Sequence, residues 1–199
     1  MFPEWFGSPQ TDWPPQTVLT GFPLFDEGEK SSLPDELLQF LSAGELPVVF
    51  TLGSIQHMQS TFIKESIKAS QKMNCRAIIL TGATKPETVD PNLIHICPPV
   101  PYSLLFPRCR AVVHHGGIGT SAMALRFGLP QLVVPFSHDQ PDNAHRLRRL
   151  VDAQILAPKN YLAETVSKKL RPLLSNESIL KLCESKISDA IRTGGFDLA

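Results

Sequence analysis

The residues best equipped for chemistry lie in two short stretches in the second half of the chain. The first is His114-His115-Gly116-Gly117-Ile118-Gly119-Thr120, directly after the apolar run Ala111-Val112-Val113. The second is Pro135-Phe136-Ser137-His138-Asp139-Gln140, directly after Gln131-Leu132-Val133-Val134. A glycine-rich bend between a strand and a helix lets a ligand approach bare backbone closely. The helix that follows adds unpaired N–H donors and a partial positive charge, which suits a phosphate. His114, as the last strand residue, is expected to face the core. His115 is better placed to leave the sheet edge and donate to a diphosphate oxygen. Asp139 and Gln140 set acceptors and donors side by side, a pattern that fits the vicinal hydroxyls of a sugar.

Each feature also has a plainer reading. Many glycine-rich strand-to-helix turns only make the corner. Asp139 could cap a helix, although Asp142 is the better-placed cap. Ser54, just past the run Val48–Leu52, could donate to a phosphate or simply close a turn. Arg146, Arg148 and Arg149 read as a solvated helix face and receive no role. His57, His95, His138 and His145 show no metal-ligand spacing. The phosphate loop G-x-x-x-x-G-K-S/T is absent, because no lysine follows the glycines. The G-x-G-x-x-G dinucleotide pattern fails too, since Gly117-Ile118-Gly119 leads into Thr120-Ser121-Ala122. Nucleotide hydrolase and nicotinamide dehydrogenase readings are therefore set aside. No D-x-D metal-chelating device occurs.

The elements that must carry these residues alternate in a regular way. Strands are expected at Val48–Leu52, Ala77–Leu80, Leu93–Ile96, Ala111–His114, Gln131–Val134 and Gln154–Leu156. Helices are expected at about 58–72, Tyr102–Phe106, Gly119–Phe127 with Gly128 as C-terminal cap, 142–151, 160–172 and 176–192. Ser175 or Asn176 is the expected cap of the last. Strands without polar alternation, separated by amphipathic helices, indicate a parallel sheet covered on both faces. The expected fold is a doubly wound, Rossmann-like α/β domain, and in such sheets ligands bind at the carboxyl ends of the strands. Residues 1–46, rich in proline, read as a largely extended linker and the start of the domain. Within them a short strand is expected near Thr17–Thr20 and a short helix at Pro34–Ser42.

Composition bounds the rest. With 199 residues, 42% of them hydrophobic, a packed core is expected. Nineteen basic residues balance nineteen acidic ones, so bulk nucleic-acid or anionic-membrane binding has no electrostatic basis. Cys75, Cys97, Cys109 and Cys183 are scattered and read as reduced, mostly buried thiols of a cytoplasmic protein. No apolar run approaches the ~20 residues of a membrane-spanning helix.

These motifs resemble the C-terminal, donor-binding half of GT-B-fold UDP-glycosyltransferases, most closely the bacterial and sterol-type branch. Val112–Thr120 looks like that family's diphosphate loop. Gly128-Leu129-Pro130-Gln131-Leu132-Val133-Val134-Pro135, followed by Asp139-Gln140, looks like its sugar-recognition segment. The resemblance implies that His115, Gly116, Gly117, Gly119 and Thr120 hold the diphosphate, with Ser54 nearby. Asp139 and Gln140 would hold the sugar hydroxyls, and Val100 would bond the base through backbone atoms. Two positions depart from the plant members: Pro99 stands where they stack a tryptophan on the base, and Met123 where they place a glutamate on the ribose.

The implied reaction is inverting, metal-independent transfer of a hexose from a UDP- or dTDP-sugar to a small or lipid hydroxyl. No cofactor is implied. Residues 47–199 would be the nucleotide-sugar-binding domain of a larger two-domain enzyme. The acceptor and the catalytic base would belong to an N-terminal domain that has no counterpart here, so this chain alone is expected to be inactive. Peripheral membrane association of the full-length enzyme stays open. Two alternatives share the motifs: a stand-alone donor-binding subunit that needs a separate acceptor subunit, and a UDP-sugar epimerase.

Overall fold

The computed structural model describes residues 2–22, 24, 31–53, 59–82 and 89–192, with backbone only for residue 59 and residues 186–192. The strands are β1 (Val48–Thr51), β2 (Ala77–Leu80), β3 (Ile94–Cys97), β4 (Ala111–His114), β5 (Gln131–Val133) and β6 (Gln154–Ile155). The helices are α1 (Asp35–Ser42), α2 (Gln59–Met73), α3 (Tyr102–Leu105), α4 (Ile118–Arg126), α5 (Gln140–Val151), α6 (Ala163–Ser175) and α7 (Glu177–Arg192).

All strand pairs are parallel, in the order β3-β2-β1-β4-β5-β6. Residues of β1, β2 and β4 are buried without exception, as both faces are covered. Alternate side chains feed two cores. Val48, Phe50, Ala77, Ile79, Ala111 and Val113 join the larger core, with Val166, Leu170 and Leu173 of α6. Val49, Ile78, Leu80 and Val112 pack on the other side, with Leu37 and Phe40 of α1, Leu105 of α3 and Met123 of α4. The expected doubly wound architecture is therefore the observed one.

The strand order reverses between β1 and β4, where the chain turns from building the sheet one way to building it the other. Thr51 and His114, the last residues of these strands, are direct partners in register. The crevice beyond them is where a doubly wound sheet offers a ligand the most room.

The proline-rich N-terminus differs from its expected extended form. Phe6 N–H bonds to the Pro3 carbonyl (3.0 Å), Trp13 N–H to Gln10 (3.2 Å) and Thr17 N–H to Pro14 (2.9 Å), giving successive turns. Pro15 sits at the second position of the last of these, where its fixed φ suits a turn. No strand forms over residues 17–20. The segment is also anchored: Phe6 and Phe22 are each 1% exposed within the larger core, with ring centroids 5.1 Å apart. Arg146 of α5 stacks on Phe2 at 4.5 Å and pairs with Asp142 at 2.7 Å. Arg148 and Arg149 are exposed, as expected of a solvated face; Arg146 instead clamps the N-terminal turn to α5. Truncating a buried phenylalanine leaves a cavity, so Phe6→Ala should cost about 3–5 kcal/mol of stability in urea unfolding. A loss below about 1 kcal/mol would mean that this segment merely lies on the surface.

Candidate functional site

The site is built around the corner between β4 and α4. His114 is fully buried and fixes that corner from below. Gly116 N–H donates to its Nδ1 (3.1 Å), so the ring's proton is on Nε2, which donates to Gln131 Oε1 (2.9 Å). Gly116 has φ +89°. A methyl carbon there would come within 2.8 Å of Val133 Cγ1 and 3.1 Å of the Gln140 carbonyl, so glycine is needed for both conformation and space. The Gly116 carbonyl accepts from Asn143 Nδ2 (3.0 Å). Both polar groups of Gly116 are thus engaged inside the protein. Expected among the diphosphate contacts, Gly116 instead shapes the turn, and the donors available to an anion lie beyond it.

His115 leaves the sheet edge as expected, and is half-buried. Its ring lies in a slot between two glycines. A methyl carbon on Gly53 would come within 2.7 Å of Cε1, and one on Gly117 would collide with Nε2. Nδ1 is enclosed, with no hydrogen-bond partner among the described residues. With no acceptor at Nδ1, the proton belongs on Nε2, which faces Gly117 at the mouth of α4. Burial pushes the His115 imidazole below its usual pKa, while the Asp139 carboxylate pulls it back up. The imidazole is therefore neutral at pH 7 and within electrostatic reach of Asp139.

Helix α4 starts at Ile118, with Gly117 as its extended N-cap and no side chain capping it. The first-turn N–H groups of an α-helix have no partner within the helix. Gly119 is exposed, and a methyl carbon there would meet nothing within 4 Å, so the space over this end is open. Thr120, 8% exposed, completes the first turn.

Helix α5 begins at Gln140, two residues earlier than the sequence suggests, and Pro141 is accommodated in its first turn. Asp139, not Asp142, holds the N-cap position, yet its carboxylate makes no capping bond. Instead Asp139 Oδ2 accepts from Asn143 Nδ2 (2.8 Å). Gln140 Oε1 accepts from the N–H groups of Phe136 (2.8 Å) and Ser137 (3.2 Å). What Gln140 can offer a ligand is therefore its NH2, a donor, beside the acceptor Asp139.

Val100 lies in the turn that leads into α3 and packs against the second core, while Pro99 is exposed. Helix α3 returns to the switch point: Tyr102 hydroxyl and Thr51 Oγ1 are 3.1 Å apart, and Gly53 N–H donates to Thr51 Oγ1 (3.3 Å). Met123 is 4% exposed and belongs to the core. Ser54 lies outside the described residues. The four cysteines are free and buried. Asn143, 3% exposed, was not marked out by the sequence. The one local signal was its spacing, four residues after Asp139.

Fold and geometry together define a Rossmann-like α/β domain with a glycine-rich turn and an uncapped helix start at its switch point. Residues 69–190 match the family described as erythromycin biosynthesis protein CIII-like, C-terminal domain, and the chain belongs to that family of GT-B glycosyltransferase domains. O-mycaminosyltylonolide 6-deoxyallosyltransferase of Streptomyces fradiae is 41% identical over 141 residues, 70% of this chain and 32% of that protein. Sterol 3-beta-glucosyltransferase UGT80A2 of Arabidopsis thaliana is 38% identical over 135 residues, 65% of this chain and 21% of that protein. The crystal structure of glycosyltransferase VinC in complex with DTDP superposes with a TM-score of 0.73 at 21% identity, over 96% of this chain and 47% of that one. The chain thus spans about a third or less of the two curated relatives' length.

Buried His114 has a pKa lowered from the ordinary 6.5 to about 3, by burial first and then by the neighbouring His115. A histidine whose folded pKa lies below its unfolded value contributes stability above the unfolded pKa and loses it as pH falls toward the folded one. Urea midpoints should therefore drop between pH 7.5 and pH 5, and the drop should shrink in His114→Asn. An equal drop in both proteins would contradict this account of His114.

Proposed function

We propose that this chain is the donor-binding domain of an inverting, metal-independent glycosyltransferase that takes a hexose from a UDP- or dTDP-sugar. The observation that supports the reading most is the convergence on one open space. His115 Nε2 lies against Gly117 at the start of α4, the space beside Gly119 one turn on is open, and Asp139 stands close enough to act on the His115 charge. In this reading the diphosphate sits over α4 and the sugar hydroxyls reach Asp139 and Gln140. The turn at Val100 receives the base.

As the anomeric bond breaks, negative charge grows on the departing diphosphate. Donors already aimed at that charge stabilise it without reorganising, and one such donor is worth roughly 3 kcal/mol in a transition state. His115 and the amides of Gly117, Gly119 and Thr120 would do this work. The acceptor hydroxyl and the base that deprotonates it are proposed to belong to the part of the two-domain enzyme beyond this chain. The chain alone would bind donor and turn over little. The named relatives, one a deoxyallosyltransferase and one a sterol glucosyltransferase, are compatible with a small or lipid acceptor.

Titration calorimetry with UDP, dTDP and GDP tests the reading. UDP or dTDP should bind, and chelation with EDTA should leave the affinity unchanged. His115→Ala should weaken binding about tenfold or more, as expected for a lost hydrogen bond to a charged group. Unchanged affinity in this variant would remove His115 from the site.

A further inference from the structure

We propose that Asn143 is a positioning residue that couples the diphosphate turn to the sugar-recognition carboxylate. The inference rests on the donor-binding reading above and concerns how its two halves are held together. Asn143 is 3% exposed on the first turn of α5, and one amide nitrogen serves two elements. Its Nδ2 donates to the Gly116 carbonyl (3.0 Å) at the β4–α4 corner and to Asp139 Oδ2 (2.8 Å) at the entry to α5. An NH2 group carries two protons, so both bonds can form at once. The Asn143 backbone N–H also bonds to the Asp139 carbonyl (2.9 Å), which fixes the angle between the two residues.

The consequence is mechanical. The Asp139 carboxylate does not swing freely, because one oxygen is tied to an amide that also holds the phosphate corner. The Gly116 carbonyl, in turn, is held by a side chain whose second bond depends on Asp139. The space beside the Gly116 α-carbon is close-packed as well, since a methyl carbon there would come within 2.8 Å of Val133 Cγ1 and 3.1 Å of the Gln140 carbonyl. A change at the sugar end should therefore be felt by a ligand that has no sugar. Asn143 touches neither half of the donor itself and acts through Gly116 and Asp139.

The test is a double-mutant cycle on the whole chain, with UDP and UDP-glucose as probes and the melting temperature of each variant as a fold control. Asn143→Ala should weaken UDP about three- to tenfold, the range of one or two lost hydrogen bonds. It should also remove most of the affinity ratio between UDP-glucose and UDP. Adding Asp139→Ala to Asn143→Ala should then change that ratio by less than about twofold, because the residues act as one unit. Equal weakening of both probes by Asn143→Ala, or an additive cycle, overturns the proposal.

Asp139→Ala alone examines the same link from its other end, should Asn143→Ala fail to fold. It should weaken sugar-free UDP about threefold through the loosened Asn143 amide. Unchanged UDP affinity in that variant overturns the coupling while leaving the donor-binding reading intact. A wild-type chain that binds neither probe removes both.

Discussion

The arrangement depends on one corner. Between β4 and α4 the backbone passes through Gly116 at φ +89°, with its N–H held by His114 from the sheet and its carbonyl held by Asn143 from α5. Every functional direction follows from that turn. It sends His115 out of the sheet edge, points the open end of α4 into the crevice, and brings the first turn of α5 against the corner. His114 can hold its side only while neutral, because a protonated Nδ1 would present a hydrogen to the Gly116 N–H. Burial supplies that neutrality by making the charged imidazole costly.

The sheet explains why the corner lies where a ligand can use it. With β1 and β4 adjacent and the strand order reversing between them, the loops leaving their carboxyl ends run to opposite sides. Gly53 from the β1 side and Gly117 from the β4 side then leave a slot as wide as an imidazole, and His115 fills it. The N-terminal turns reinforce the other flank. Phe2 stacks on Arg146, which pairs with Asp142 one turn earlier, so these turns are tied to the helix that carries Gln140 and Asn143.

Much of this was legible in the sequence, for reasons that differ by element. The strands were readable to within a residue or two because both faces of the sheet are buried, so each appears as an apolar run ended by glycine, proline or a polar pair. The cap of α7 was readable because Asn176 acts locally, its Oδ1 accepting from Ser178 N–H at 2.9 Å. The start of α5 is less legible, because Asp142 looks like a cap, whereas the helix takes Pro141 into its first turn. The N-terminal segment is less legible, because its prolines point to an extended chain. The aromatic residues between the prolines carried the opposite message, that the segment buries itself. Gly116 read as one of three equivalent glycines. Its distinct role comes from His114 and Asn143, and no local pattern announces a bond from Asn143 to a residue 27 positions earlier. Arg146 was hidden for the same reason, since its aromatic partner lies at the opposite end of the sequence.

A crystal structure of the chain grown with uridine diphosphate addresses the central claim most directly. The account requires the two phosphates over Gly119, with one oxygen at hydrogen-bond distance from His115 Nε2 and others facing the first-turn amides of α4. The nucleotide bound elsewhere, for example in the cleft beside β3 lined by Phe40, Arg76 and His95, with the crevice above α4 empty, would contradict it.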